Sequence, residues 1–234
     1  MKTRKQYNQS LEYNGQAYAD RFVLNCTNFK KEGYFLELGS RHAKWNNNSY
    51  ILERIFGWTG VMVDRVATHK AAYESERPNS IHIIQDATQI NNKEVFEKNN
   101  FPSNLDFWQL DLEVRDNTAL TTFLKINEEL LDTYKFATIT MEHDIFTELP
   151  DAENTRNITR DTLESKGYYC VFKDILDPPA VCVNSPYEDW WVHPDLVDMD
   201  YIKELQEKNK DKYETLNING GDIKCFQALS LIHI

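Results

Sequence analysis

Gln109-Leu110-Asp111-Leu112-Glu113 and Thr140-Met141-Glu142-His143-Asp144 each end an apolar run in acidic residues. About thirty residues of helical pattern separate them, the length of one strand–helix–strand unit. In an open parallel sheet, neighbouring strands finish on one edge, and ligands bind in the crevice outside those carboxyl ends. Asp111, Glu113, Glu142, His143 and Asp144 are therefore expected to face one pocket.

The same alternation extends in both directions. Upstream, apolar runs predict strands over 34–38, 61–63 (closed by Asp64), 80–84 and 105–112, with helices over 47–56, 67–76 and 95–99. Asn46, Asn47 or Asn48 would cap the first of these helices. Asp116 or Asn117 opens a helix to Leu131, a strand covers 136–141, and a helix covers 154–166. Strands over 168–172 and 180–183, joined through Asp177-Pro178-Pro179, read as a late antiparallel hairpin. Apolar residues at helical spacing (Leu11, Ala17, Tyr18, Phe22, Val23, Cys26) predict an N-terminal helix within 9–30 covering a sheet edge.

This order predicts an α/β fold, a mostly parallel sheet with helices on both faces. The expected division is an N-terminal helical segment (1–32), a Rossmann-like domain (33–197) and a C-terminal helix and tail (198–234). Leu229-Ser-Leu-Ile-His-Ile234 follows polar sequence abruptly and resembles a translated sequencing-adapter string. The competing reading of those six residues is a terminal strand.

The 234 residues, 41% apolar and 27% charged, suit a soluble globular protein of one sizeable domain, or at most two small ones. A net charge of −11 argues against a nucleic-acid partner, which needs a basic surface. No run approaches the roughly 20 apolar residues of a membrane span. The first residues lack the apolar core of a secretory signal. Cys26, Cys170, Cys182 and Cys225 show no metal or redox spacing, so a reduced, cytoplasmic setting is expected.

Glu37-Leu38-Gly39-Ser40 ends the first strand where a nucleotide cofactor lies against backbone, and Gly39 permits close approach. A glycine merely turning the chain is the equally good alternative, because the GxGxxG fingerprint is absent. Asp64 follows Gly39 at about the spacing of the ribose-binding carboxylate in dinucleotide folds. Asp86-Ala87, ending the third strand, falls where an adenine amino group would bind.

Several motifs together resemble the FkbM-type methyltransferase family. They are Gly33-Tyr-Phe-Leu-Glu-Leu-Gly39, Asn48-Ser49-Tyr50 with Leu52-Glu53, and Gly57-Trp58-Thr59-Gly60-Val61. Asp111-Leu112-Glu113, Ile139–Asp144 and Tyr187–Leu196 continue the likeness in order across roughly 33–197. The resemblance implies a Rossmann-like class I methyltransferase with a seven-stranded sheet. It further implies methyl transfer from S-adenosylmethionine to an oxygen, often on a sugar or glycan. Glu37, Gly39, Ser40, Asn48, Asp64, Asp86 and Ala87 would then hold the cofactor. Two departures stand out: Arg41-His42-Ala43 replaces the family's Asn-Asp-Gly, and Val114-Arg115 stands where a glycine is usual.

Transfer to a hydroxyl needs a base, and His143 is the first choice because its ordinary pKa lies near neutrality. Glu142 and Asp111 complete the expected catalytic set. A magnesium ion on Asp111, Glu113, Glu142 and Asp144 is a second route; strand alternation puts Asp111 and Glu113 on one face and makes Glu142 and His143 diverge, so these five groups cannot all be ligands. Trp190, Trp191 and His193 would stack on and bind a sugar, the alternative being that Trp190 or Trp191 packs into the core with His193 exposed, a reading favoured for one of the two tryptophans. Trp45 and Trp58 would anchor loops, and Trp108 would be core. Two rivals remain: a non-catalytic binding module derived from a methyltransferase, and an NAD-dependent oxidoreductase. The absence of GxGxxG counts against the second.

Overall fold

The run Tyr34–Leu38 forms β1 at the heart of the sheet, between β2 (Thr59–Asp64) and β4 (Asn104–Leu110). The computed structural model describes residues 2–176 and 185–228. Among these, β3 (Ile81–Ile84), β5 (Lys135–Glu142), β6 (Tyr169–Leu176), β7 (Pro186–Val192), β8 (Tyr213–Ile218) and β9 (Gly221–Phe226) complete one nine-stranded sheet. Its order is β3-β2-β1-β4-β5-β7-β6-β9-β8. Strands β1 to β5 run parallel, and β7 lies antiparallel between β5 and β6. The order reverses between β1 and β4, the switch point at which open α/β sheets bind ligands.

Two expectations need correction. The sheet has nine strands rather than seven, because the segment read as a C-terminal helix and tail holds α8 (Met199–Lys208) and the β8–β9 hairpin. The antiparallel partner of β5 is Pro186–Val192. The expected turn at Asp177-Pro178-Pro179, the strand over 180–183, Cys182 and the final six residues lie outside the described residues.

The N-terminal helix is also divided. Helix α1 (Arg4–Ser10) and α2 (Ala19–Cys26) are separated by Gly15 and by Ala17 and Tyr18, whose φ values of 45° and 65° are left-handed. The Asp20 carboxylate secures the reversal, accepting from the amides of Asn14 (2.7 Å) and Gly15 (2.9 Å).

Helix α3 (Tyr50–Phe56) begins later than expected, because the Asn47 and Ser49 side chains turn toward Glu37 instead of capping. It ends at Gly57, whose φ of 70° allows the amides of Gly57 and Trp58 to close on Glu53 and Leu52. Helices α4 (Lys70–Glu76), α5 (Asn92–Lys98), α6 (Thr118–Glu129) and α7 (Pro150–Ser165) follow in the expected order.

Alternate strand residues divide between two apolar clusters. Phe35, Met62, Phe107, Trp190 and Val192 pack with Phe22 of α2, Leu52 of α3 and Ile202 of α8. Leu36, Val63, Trp108, Ile139 and Trp191 pack with Phe96 of α5, Phe123 of α6 and Leu163 of α7. This sorting also decides which acidic residues meet at the carboxyl edge. No helix among the described residues is long and apolar enough to cross a membrane.

Candidate functional site

Gly39, at φ +90°, carries the chain over the end of β4, and a Cβ there would lie 1.7 Å from the Asp111 carbonyl oxygen. The close approach that requires glycine is thus to the protein's own backbone, which the Asp111 amide ties to Leu38 at 2.9 Å. Beyond Gly39 the loop is pinned at successive residues. Asp64 accepts from the amides of Arg41 (2.7 Å) and Val66 (2.6 Å), and the Tyr73 hydroxyl donates to the His42 carbonyl at 3.3 Å. The buried Arg77 guanidinium donates to the carbonyl of Ala43, to Asn47 Oδ1 and to Ser49 Oγ, and pairs with Glu53 at 2.8 Å. Arg77 was not singled out in the sequence, and its position just before Pro78 gave no signal of this role.

Glu37 does not face the crevice. It is enclosed, accepting from Asn47 (3.1 Å) and Ser49 (2.6 Å), and burial raises its pKa against the opposing pull of Arg77. The Ser40 hydroxyl likewise turns inward to the Val63 carbonyl. Asn48 is buried beside the N-terminal reversal, and its Oδ1 lacks a hydrogen-bond partner. Asp86 is exposed at the end of β3 and bonded to the amide and hydroxyl of Thr88, contacts that lower its pKa. Ala87 is buried behind it.

The carboxyl edge of β4 and β5 carries a tight acidic group. The side chains of Asp111 and Asp144 both adjoin that of Glu142, close enough for a shared proton to bridge them. Opposite Glu142 across the antiparallel ladder stands Glu188 of β7. It accepts from Trp190 Nε1 (2.7 Å) and the Tyr187 hydroxyl (2.8 Å). Burial raises the pKa of all four groups; mutual repulsion adds to the shift of Glu142, and Glu188 is pushed up to about 8. Two residues deeper on the same faces of β4 and β5, Gln109 Oε1 and Thr140 Oγ1 are enclosed and unpartnered among the described residues. Glu113 stays exposed, bonded to the Arg115 amide.

His143 points to the other face of β5. It is fully enclosed, its Nδ1 accepts from the Ile145 amide at 3.3 Å, and its Nε2 meets Asp189 at 3.4 Å and Asp174 at 3.6 Å. Both ring nitrogens are engaged, so His143 cannot serve a substrate as the base the sequence suggested. Its partners are Asp189 and Asp174. Around them Arg160 binds Asp189 with two bonds of 2.7 Å and Asp174 at 2.9 Å, and Arg156 reaches Asp174 at 3.2 Å. Burial would raise the Asp189 pKa, but Arg160 and His143 hold it well below the usual carboxylate range.

Among the described residues, His143, Asp174 and Asp189 are the group that brings three possible metal-ligand atoms within 4.8 Å of one another. The two guanidinium groups already neutralise both carboxylates there, which leaves a cation nothing to gain. Asp111, Glu113, Glu142 and Asp144 do not gather in that way, so the expected magnesium site finds no support in the donor geometry.

The sugar-binding expectation for Trp190, Trp191 and His193 also fails on burial. Both tryptophans are 0% exposed, and Trp190 stacks on Phe22 with centroids 4.7 Å apart. His193 lies near Ala137, at the amino end of β5 and thus on the edge opposite the crevice. Trp58 is core and donates to the Lys30 carbonyl at 2.8 Å, Trp108 is core as expected, and Trp45 is exposed rather than anchoring. Asp174, Arg156 and Arg160 carried no expected role, and Glu188 and Asp189 were expected only as carboxylates binding sugar hydroxyls beside the paired tryptophans. Their actual partners follow from the pairing of β7 with β5.

No family model matches the sequence, and no curated protein matches it. Solved structures share the course of the chain at low identity. A TehB-like SAM-dependent methyltransferase from Corynebacterium glutamicum is 8% identical, over 75% of this chain and 87% of that one, with a TM-score of 0.45. A candidate rRNA methylase from Clostridium thermocellum is 9% identical over 78% and 99% of the two chains, with a TM-score of 0.49. The pyocyanin biosynthetic protein PhzM is 12% identical over 82% of this chain and 62% of its own, with a TM-score of 0.42. Likeness at this level carries no argument about ligand or acceptor. The strand order, with its reversal between β1 and β4, defines a Rossmann-like sheet extended by the antiparallel β7.

Proposed function

We propose that the chain is an S-adenosylmethionine-dependent methyltransferase acting on a hydroxyl of a sugar or other small acceptor, in the manner of the FkbM-type family. The observation that carries this reading is the meeting of the Gly39 loop, Asp64 and the Asp111–Glu142 pair at the switch point. In it, Asp64 receives the ribose, Asp86 and Ala87 border the adenine, and the Gly39–Ser40 backbone with Asn48 borders the amino-acid portion. The unpartnered Asn48 Oδ1 fits a ligand that brings its own hydrogen-bond donors. Bound there, S-adenosylmethionine supplies an electrophilic methyl group on sulfur.

Asp111, beside Glu142 and against the Gly39 loop, takes over the role first given to His143. A carboxyl pair held above its usual pKa range is a better match for a hydroxyl proton than an ordinary carboxylate. Orientation of the acceptor supplies the larger part, since well-placed reactants gain about 7–11 kcal/mol.

A second reading, a binding module derived from a methyltransferase, draws on the first loop. There the left-handed Arg41 and Val66 already occupy both Asp64 oxygens with their amides. Calorimetric titration with S-adenosylhomocysteine and, separately, NAD distinguishes the readings. Heat with S-adenosylhomocysteine alone is expected; heat with NAD alone would indicate an oxidoreductase, and silence from both a binding module.

A further inference from the structure

The acidic group at the β4–β5 edge differs from an ordinary strand terminus in what surrounds it. Among the described residues, none of Asp111, Glu142, Asp144 and Glu188 forms an ion pair with a lysine or arginine. Arg41 and Arg115 act on the group only at longer range. Asp111, Glu142 and Asp144 are half-buried, so part of each residue stays open at the carboxyl edge. Beneath them, on the same faces of β4 and β5, lie Gln109 Oε1, an acceptor without a donor, and the Thr140 hydroxyl, unpartnered as donor and acceptor alike among the described residues, in residues 5% and 0% exposed. The Gln109 oxygen is an observation separate from the carboxylates, a buried acceptor with its donor missing. Burial and mutual repulsion oppose ionisation of these carboxyl groups, and a protonated amine would supply both the positive charge and the donors that the group lacks.

We propose that this face recognises an ammonium group on the acceptor, so that the substrate is a hydroxyl-bearing amine such as an amino sugar or amino alcohol. Glu142, Asp144 and Glu188 surround the ammonium group, Gln109 and Thr140 accept from it, and Asp111 remains nearest the first loop for the hydroxyl proton. The proposal rests on the methyltransferase reading for the hydroxyl, whereas the cation site stands on the geometry alone. A divalent metal is the weaker occupant, because these carboxylates do not bring three ligand atoms within 4.8 Å.

The test uses the full chain with S-adenosylhomocysteine present and follows thermal shift and calorimetry. The probes are amines paired with neutral isosteres: glucosamine against glucose and N-acetylglucosamine, and ethanolamine against ethylene glycol. Hydrogen bonds to charged groups imply a preference of roughly ten- to a hundredfold for at least one amine. Glu142→Gln should abolish that preference and leave S-adenosylhomocysteine affinity within about twofold. Asp144→Asn, at a left-handed position (φ 49°) that asparagine accepts, should weaken it without disturbing the fold.

The inference is overturned if no amine surpasses its isostere, if magnesium or calcium alone shifts the transition, or if Glu142→Gln lowers S-adenosylhomocysteine affinity instead. The last result would assign the acidic face to the cofactor's own ammonium group. Amine preference in a chain that ignores S-adenosylhomocysteine would refute the methyltransferase reading and leave the cation site in place.

Discussion

Glu142 and His143 are neighbours in sequence, as are Glu188 and Asp189, yet each pair is split between opposite faces of the sheet. On one face, His143, Asp174 and Asp189 are locked by Arg156 and Arg160. On the other, Asp111, Glu142, Asp144 and Glu188 crowd together with no such partners among the described residues. The first group is a buried, satisfied network that fixes how β5, β6, β7 and α7 meet. The second keeps a repulsion that folding alone does not require, and a ligand would relieve it. Neutralisation, rather than residue type, separates the two clusters.

Replacing Arg160 with Met should be the most damaging way to disturb this contrast. It strips Asp189 of its two short bonds and leaves an uncompensated buried charge, a loss of about 3–5 kcal/mol in urea unfolding at pH 7. Neutralising the other face should act in the opposite direction. Glu188 has a folded-state pKa of about 8 against an ordinary 4.5, so its contribution is fully present below the unfolded value and is lost as pH rises through 4.5 to 8. Glu188→Gln keeps an acceptor for Trp190 and Tyr187. It should therefore stabilise the chain at pH 8 by on the order of 3 kcal/mol and change little at pH 4. An unchanged difference between the two pH values would show that Glu188 is not held neutral.

The smallest effect belongs to His143. His143→Asn should cost about 1–3 kcal/mol of stability through broken buried hydrogen bonds, while S-adenosylhomocysteine affinity stays within about twofold. Loss of affinity with intact stability would return His143 to the binding site.

The parallel half of the sheet was legible because β1, β2, β4 and β5 are buried apolar runs bounded by glycine, aspartate or proline. Strand β7 was not, since Tyr187-Glu188-Asp189-Trp190 reads as a polar aromatic loop until a neighbour buries it from both sides. Hairpin β8–β9 had a usable signal in Asn219-Gly220, but its half-exposed strands alternate too weakly to stand out. The acidic edge itself was found from sequence. Strand period already required Glu142 and His143 to diverge, but choosing which one stays with Asp111 needed the register of β5 against β4 and β7.

Carboxyl-carbon NMR titration of the full chain, with and without S-adenosylhomocysteine, addresses the division between the two faces directly. Asp111 and Glu142 should titrate above the usual carboxylate range in coupled steps and shift when the ligand is added, while Asp189 stays ionised and silent. A Glu142 that titrates near the ordinary glutamate value, or an Asp189 that responds to the ligand in its place, would contradict the account.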